Sequence, residues 1–166
     1  MGGGTVDPVT GVIVDDHPAV VEGVQAWCAA AQPPIRVVAV GDRPEVAAAG
    51  PGAAADVVVF DLLLEAGIPS VHALAQLLEA GRRVVVYSQA VDNDTILRCL
   101  ELGVATYLTK AEGREHLIPA LHAAARDLPY ISPALGGAMV GERRADRPAL
   151  SDREREVRLA WFESDS

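Results

Sequence analysis

Aromatic residues are scarce in this 166-residue chain, which has two Phe, three Tyr and two Trp. A core must therefore be built from small apolar side chains. The abundant Ala and Val suit small-residue helices packed on a Val-rich sheet. Positive charge is also short: 14 Lys and Arg stand against 23 Asp and Glu, a net charge of −9. That balance opposes nucleic-acid binding by this chain as it stands, because such binding draws on a basic surface. There are only two cysteines, Cys28 and Cys99, far apart and each inside a helical pattern. No disulfide framework is expected, only buried reduced thiols. No apolar run approaches the ~18 residues of a membrane span. Met1-Gly2-Gly3-Gly4 lacks a charged region followed by an apolar stretch, so it does not read as a signal peptide. Residues 1–9 read as a flexible lead, and the expected location is cytoplasmic. No internal repeat is evident.

Half of the residues are apolar, enough for one buried domain plus a tail. Strand and helix signals alternate along the chain. Strands are expected at about 11–15, 35–40, 56–61, 83–88 and 105–109. Helices are expected at about 18–30, 44–49 (short and weak), 70–80, 92–102 and 113–127. Pro18 suits the first turn of the first helix, whose stripe is Val20, Val21, Val24, Trp27 and Cys28. Trp27 is read as core. Ser70 is the expected N-cap of the third helix, Asp92 or Asp94 that of the fourth. Gly81 and Gly103 follow helix ends. Pro119 would delete one backbone hydrogen bond of the fifth helix, which must start late or kink. The continuously apolar strands imply a parallel sheet covered on both faces. The domain spans 10–128. Residues 129–150, rich in Pro, Gly and charge, read as a linker. Ser151 then caps a charged helix at about 152–162, with Glu154 completing a capping box.

The strand ends carry the chemistry. Val12-Ile13-Val14 runs into Asp15-Asp16, Val57-Val58-Val59-Phe60 into Asp61, Val84-Val85-Val86-Tyr87 into Ser88, and Thr106-Tyr107-Leu108-Thr109 into Lys110. In an open parallel sheet, sites collect at the carboxyl ends of strands. Three carboxylates at one edge raise each other's pKa unless a cation lies among them. Hard oxygen donors favour Mg²⁺ there. A carboxylate can take a phosphoryl group as nucleophile. Asp61 is the best candidate, because its strand lies between the acid pair and the Ser/Lys pair. Ser88 and Lys110 would each meet a phosphoryl oxygen.

These four segments, with the Asp15-Asp16-His17-Pro18 opening, resemble the receiver domain of bacterial two-component response regulators of the NarL/FixJ type. Tyr130-Ile131-Ser132-Pro133 and Leu150 to Val157 resemble the start of a LuxR-type helix-turn-helix domain, so 151–166 would be its first helix. The resemblance implies an α/β, flavodoxin-like, doubly wound five-stranded parallel sheet of order 2-1-3-4-5. It implies that a histidine kinase phosphorylates Asp61, and that Asp15, Asp16, Asp61 and the backbone carbonyl of Leu63 hold Mg²⁺. Ser88 and Tyr107 would be a switch pair: as Ser88 turns toward the phosphoryl group, Tyr107 rotates inward. The expected role is control of a transcription regulator, not an enzyme's. The expected partners are the kinase and a second copy as a homodimer, with no membrane. DNA would be reached only through the remainder of the helix-turn-helix domain.

Leu64-Glu65-Ala66-Gly67 departs from the family's usual Met-Pro or Leu-Pro, then Gly. Apolar Leu63 and Ala90 cannot position a hydrolytic water, so an aspartyl phosphate is expected to be long-lived. The altered loop also supports a second reading, a dimerising or ligand-binding module of the same fold that has abandoned phosphorylation. An aspartate phosphatase would want an acid two residues after Asp61. A flavodoxin would want a Ser/Thr/Gly phosphate loop where Asp-Asp-His-Pro stands. His17, His72, His116 and His122 show no ligand spacing with Cys or acids and read as surface or partly buried. Trp161-Phe162 would be core of the helix-turn-helix domain.

Overall fold

A computed structural model describes residues 8–64, 69–89 and 92–145. Five parallel strands form one sheet in the order β2-β1-β3-β4-β5: β1 Val9–Val14, β2 Ile35–Gly41, β3 Val57–Phe60, β4 Val84–Ser88 and β5 Thr106–Thr109. This is the expected flavodoxin-like sheet. The register pairs Val14 with Phe60, Phe60 with Val86, and Ser88 with Thr109. The strand ends therefore fall along one edge. A shift between Gly11 and Val12 bends the β1–β2 pairing.

Successive strand side chains point to opposite faces, which divides the core in two. On one face Ile13, Val59, Val85, Tyr87 and Leu108 pack with Val24 and Cys28 of α1 (Pro18–Ala30) and Leu117, Ala120 and Leu121 of α4 (Gly113–Ala125). On the other, Val12, Val14, Phe60, Val86 and Tyr107 pack under α2 (Val71–Glu79), α3 (Asn93–Leu102) and a further helix, α5 (Pro133–Ala145). Numbering follows this chain, so α2 is the helix expected at 70–80.

Several expectations change in detail. The helix at 44–49 is replaced by two 3₁₀ turns, Pro44–Ala47 and Gly50–Ala54. Gly and Pro within 50–52 cannot sustain an α-helix. A Cβ on Gly52 would lie 1.9 Å from the Val46 carbonyl oxygen. The Arg82 guanidinium donates to the carbonyls of Gly52, Ala53 and Ala55, doing what helical amides would otherwise do. Asp92, not Asp94, caps α3 by accepting from the Thr95 amide at 2.7 Å. Gly103 ends it with φ +109°. Ser70 occupies the N-cap position of α2 but makes no side-chain cap bond. Helix α4 starts at Gly113 and carries Pro119 within it, ending two residues early. Trp27 is only partly buried, at the rim of its core cluster.

The largest difference lies in the stretch expected to be a linker. Residues 133–145 form α5, whose Leu135 and Ala138 are buried in the same cluster as Tyr107, Ile96 and Leu97. The Ser132 hydroxyl donates to the Tyr107 carbonyl and accepts from the Leu135 amide at 3.1 Å. Pro133 stands at the first helical position, and the small residues Ala134, Gly136, Gly137 and Ala138 let the helix lie close. The composition signalled a break after 128 but not the apolar pair that docks it. Residues 1–7, 65–68, Ala90, Val91 and everything from 146, including Trp161-Phe162 and the helix expected at 152–162, lie outside the described residues. No helix of the described residues is long and apolar enough to cross a membrane.

Candidate functional site

Parallel pairing brings the four expected strand ends together. The Asp61 amide donates to the Val14 carbonyl at 2.9 Å, and the Asp15 amide to the Gly41 carbonyl at 3.0 Å. These bonds extend the ladders one residue past each strand and fix the two carboxylates side by side. Asp61 is 1% exposed and Asp15 5%. Burial on this scale is tolerated only where donors surround the charge.

Each oxygen of Asp61 has partners. Oδ1 accepts from Ser88 Oγ at 2.8 Å and from the Leu63 amide at 3.0 Å. Oδ2 accepts from Lys110 Nζ at 3.1 Å. The same ammonium lies 3.0 Å from Asp15 Oδ2. Lys110 is the only lysine in the chain, so the flexible cation is spent here while every other fixed cation is an arginine. Asp16 is exposed and reaches the group from the rim. Asp15, Asp16, Asp61, Ser88 and Lys110 therefore converge as the sequence implied. Leu63 adjoins Asp61 through its amide.

Three carboxylates against one ammonium leave the pocket negative. Carboxylate oxygens are hard donors, the type Mg²⁺ takes, and those of Asp15, Asp16 and Asp61 lie close enough to share one ion. The donor chemistry fits a hard divalent cation.

His17 is the site residue that spacing did not reveal. The sequence reads it as a surface or partly buried histidine without ligand spacing to Cys or acids. Its Nδ1 instead lies 2.9 Å from Asp15 Oδ1, 3.1 Å from Asp16 Oδ1 and 3.4 Å from Asp61 Oδ2. One of these partners comes from another strand, so no sequence interval could show it. The available signal was its place in the turn between Asp16 and Pro18, directly at the strand end.

Behind the site stand two tyrosines on opposite faces. Tyr87 donates to the Lys110 carbonyl at 3.2 Å, and burial followed by Asp15 raises its pKa. Tyr107 is fully buried and donates to the Gln89 carbonyl at 3.2 Å. Burial pushes its phenol well up, with a bond to Ser88 pulling the other way. Ser88 is turned to Asp61, and Tyr107 is inward behind it. Glu112 was also not foreseen. Its carboxylate accepts from the Thr109 amide and the Ala134 amide, both at 2.7 Å, and so ties the end of β5 to the start of α5.

Comparison with known proteins follows the same lines. Residues 12–122 match the family described as the response regulator receiver domain. The chain is 26% identical over 155 residues to the transcriptional regulatory protein LiaR of Bacillus subtilis, covering 88% of this chain and 72% of LiaR. It is 29% identical over 161 residues to the nitrate/nitrite response regulator NarL of Escherichia coli, covering 91% and 74%. Among solved structures it is similar to a LuxR-family two-component response regulator from Aurantimonas, with TM-score 0.71, 25% identity, and 82% and 99% of the two chains covered. An RcsB–DNA complex matches in fold, with TM-score 0.74 at 17% identity over 95% of this chain and 78% of that one.

Proposed function

The chain belongs to the response regulator receiver domain family, and we propose that it is a phosphorylation switch in which Asp61 takes a phosphoryl group from a histidine kinase. One observation carries this reading. The buried Asp61 carboxylate holds the Ser88 hydroxyl at one oxygen and the Lys110 ammonium at the other, with Asp15 alongside.

In the proposed step the P–N bond of the donor phosphohistidine breaks as a P–O bond to Asp61 forms, and the leaving imidazole takes up a proton. Asp15, Asp16 and Asp61, with the Leu63 carbonyl, would hold Mg²⁺. A bound Mg²⁺ supplies charge neutralisation and in-line orientation. Lys110 supplies a second positive charge, and Ser88 donates to a phosphoryl oxygen once it leaves Asp61 Oδ1. The added charge acts on Ser88 and Tyr107, and through them on the face under α5. Apolar Leu63 offers no group to position water, which supports a long-lived aspartyl phosphate.

In this reading residues 10–128 are the receiver, 129–150 connect it onward, and 151–166 begin a LuxR-type helix-turn-helix domain. The protein works in the cytoplasm as part of a homodimeric transcription regulator and is not an enzyme. The test is intact-mass spectrometry after incubation with acetyl phosphate and Mg²⁺. One phosphoryl group is expected on the wild type and none on Asp61→Asn. An unmodified wild type, or an equally modified Asp61→Asn, would overturn the reading.

A second reading has its own observation. Tyr107 lies inward beneath α5, and Ser132 and Leu135 hold that helix in place. In that case the switch is preset, and the domain serves as a phosphorylation-independent dimerisation or ligand-binding module. Nitrogen-15 lysine labelling separates the two, because Lys110 gives one side-chain signal. Beryllofluoride with Mg²⁺ shifts it in the first reading and leaves it unmoved in the second.

A further inference from the structure

The imidazole of His17 is held at the pocket by its backbone. Pro18 restricts the preceding residue to extended conformations, and His17 has φ −100° and ψ 105°. Its amide donates to Asp15 Oδ1 at 2.8 Å. The ring therefore enters the pocket from the turn, with Nδ1 among oxygens of three different acids.

Two neighbours use Nδ1 in opposite ways. Asp15 Oδ1 at 2.9 Å accepts from it when the ring proton is on Nδ1, and Lys110 Nζ at 3.2 Å donates to it when the proton is on Nε2. A metal ion takes the second tautomer. In that tautomer Nδ1 and the three carboxylates are four lone-pair donors facing one small volume, with ligand atoms all within 4.8 Å of one another. Donors at bonds of about 2.1 Å around an octahedral ion stand about 3 Å apart along each edge. The separations of 2.9, 3.1 and 3.4 Å match that spacing.

We propose that His17 is a metal-specificity residue: its Nδ1 joins Asp15, Asp16 and Asp61 as a fourth donor and biases the pocket toward first-row transition ions over Mg²⁺. The chemistry follows from ligand type. Imidazole suits Fe²⁺, Ni²⁺, Cu²⁺ and Zn²⁺, with Co²⁺ between Fe²⁺ and Ni²⁺ in affinity order, whereas Mg²⁺ keeps oxygen ligands and water. Mg²⁺ would use the carboxylates alone and leave the ring aside. A transition ion would recruit the ring. The inference rests on the reading of this pocket as a divalent-cation site.

The test uses the full chain, titrated separately with Mg²⁺ and Co²⁺ by calorimetry, beside His17→Ala and the exposed control His72→Ala. His17→Ala is expected to weaken Co²⁺ at least about tenfold, by the scale of losing metal-site groups, and to change Mg²⁺ by less than about twofold. His72→Ala should change neither. Proton NMR of the Co²⁺-loaded wild type should show hyperfine-shifted imidazole signals, and this readout needs no variant to fold. Unchanged Co²⁺ affinity in His17→Ala, a parallel change for both ions, or unshifted imidazole signals would overturn the inference while leaving the cation site standing. A parallel strengthening would mean that the ring serves as a charge partner of the acids. Failure of both ions to bind the wild type would overturn the cation-site reading and this inference together.

Discussion

The two faces of the sheet carry matched cores under unlike covers. Each has one buried cysteine and one buried tyrosine: Cys28 with Tyr87 on one side, Cys99 with Tyr107 on the other. The first face is closed by α1 and α4, two 13-residue helices of the strand-helix repeat. The second is closed by two shorter helices, a pair of 3₁₀ turns, and α5, which arrives from beyond the repeat. Helix α5 is tied to β5 through Ser132 and Glu112. The face with Tyr107 is therefore covered in part by a helix outside the strand-helix repeat. Under the proposed switch, a phosphoryl group at Asp61 would act on that face.

The largest expected effect breaks this asymmetry directly. Leu121 on α4 is fully buried, and Leu135 on α5 nearly so. Leu121→Ala should cost about 2–5 kcal/mol of global stability, the usual range for a core cavity, read from urea unfolding. Leu135→Ala should cost less than Leu121→Ala, because α5 can detach instead of leaving a hole. Its signature is local: Cys99 should react faster with a thiol reagent while Cys28 stays protected. Equal acceleration at both cysteines would make the two faces one cooperative unit.

Alkaline pH sharpens the contrast at smaller scale. Burial pushes the Cys28 thiol up to about 11 and, against the opposing charge of Arg98, the Cys99 thiol up to about 12. A thiol in the unfolded chain ionises near its ordinary value of about 8.5–9. Above that pH the unfolded state binds fewer protons than the folded one, so stability falls as pH rises. Each thiol should contribute a loss of order 1 kcal/mol per pH unit, ending near pH 11 for Cys28 and near pH 12 for Cys99. Unfolding midpoints of Cys28→Ala and Cys99→Ala against the wild type from pH 8 to 11.5 measure it. A wild type that parallels both variants would show that the thiols titrate alike in the two states.

The smallest effect concerns the latch. Glu112→Gln keeps the shape but weakens the charged acceptor of two amides, and should cost about 1 kcal/mol or less. Amide hydrogen exchange should quicken at Ala134 and along α5 and not along α1. Uniform quickening would deny Glu112 a local role.

Five apolar runs made the sheet legible, and the four of them that end in Asp15-Asp16, Asp61, Ser88 and Lys110 made those residues legible. A buried parallel strand must be apolar throughout, so its end is visible where polarity returns. The helix expected at 44–49 gives way to a pair of 3₁₀ turns, the second of which is bonded at Gly52, Ala53 and Ala55 by Arg82, some thirty residues away. Helix α5 was missed because glycine and proline dominate its local signal, and its stabilising contacts, Leu135 with Ala138 on the β5 face and Glu112 at its start, are all tertiary.

Sequence alone determined the alternation of elements and the identity of the acids, the hydroxyl and the amine, since periodicity and strand-end chemistry are local. Tertiary structure alone decided that His17 stands among those acids, that Glu112 joins β5 to α5, and that Tyr107 lies beneath a helix. Each of these depends on atoms meeting across strands or helices, and a distance of about 3 Å between residues far apart in the chain leaves no mark on the intervals between them.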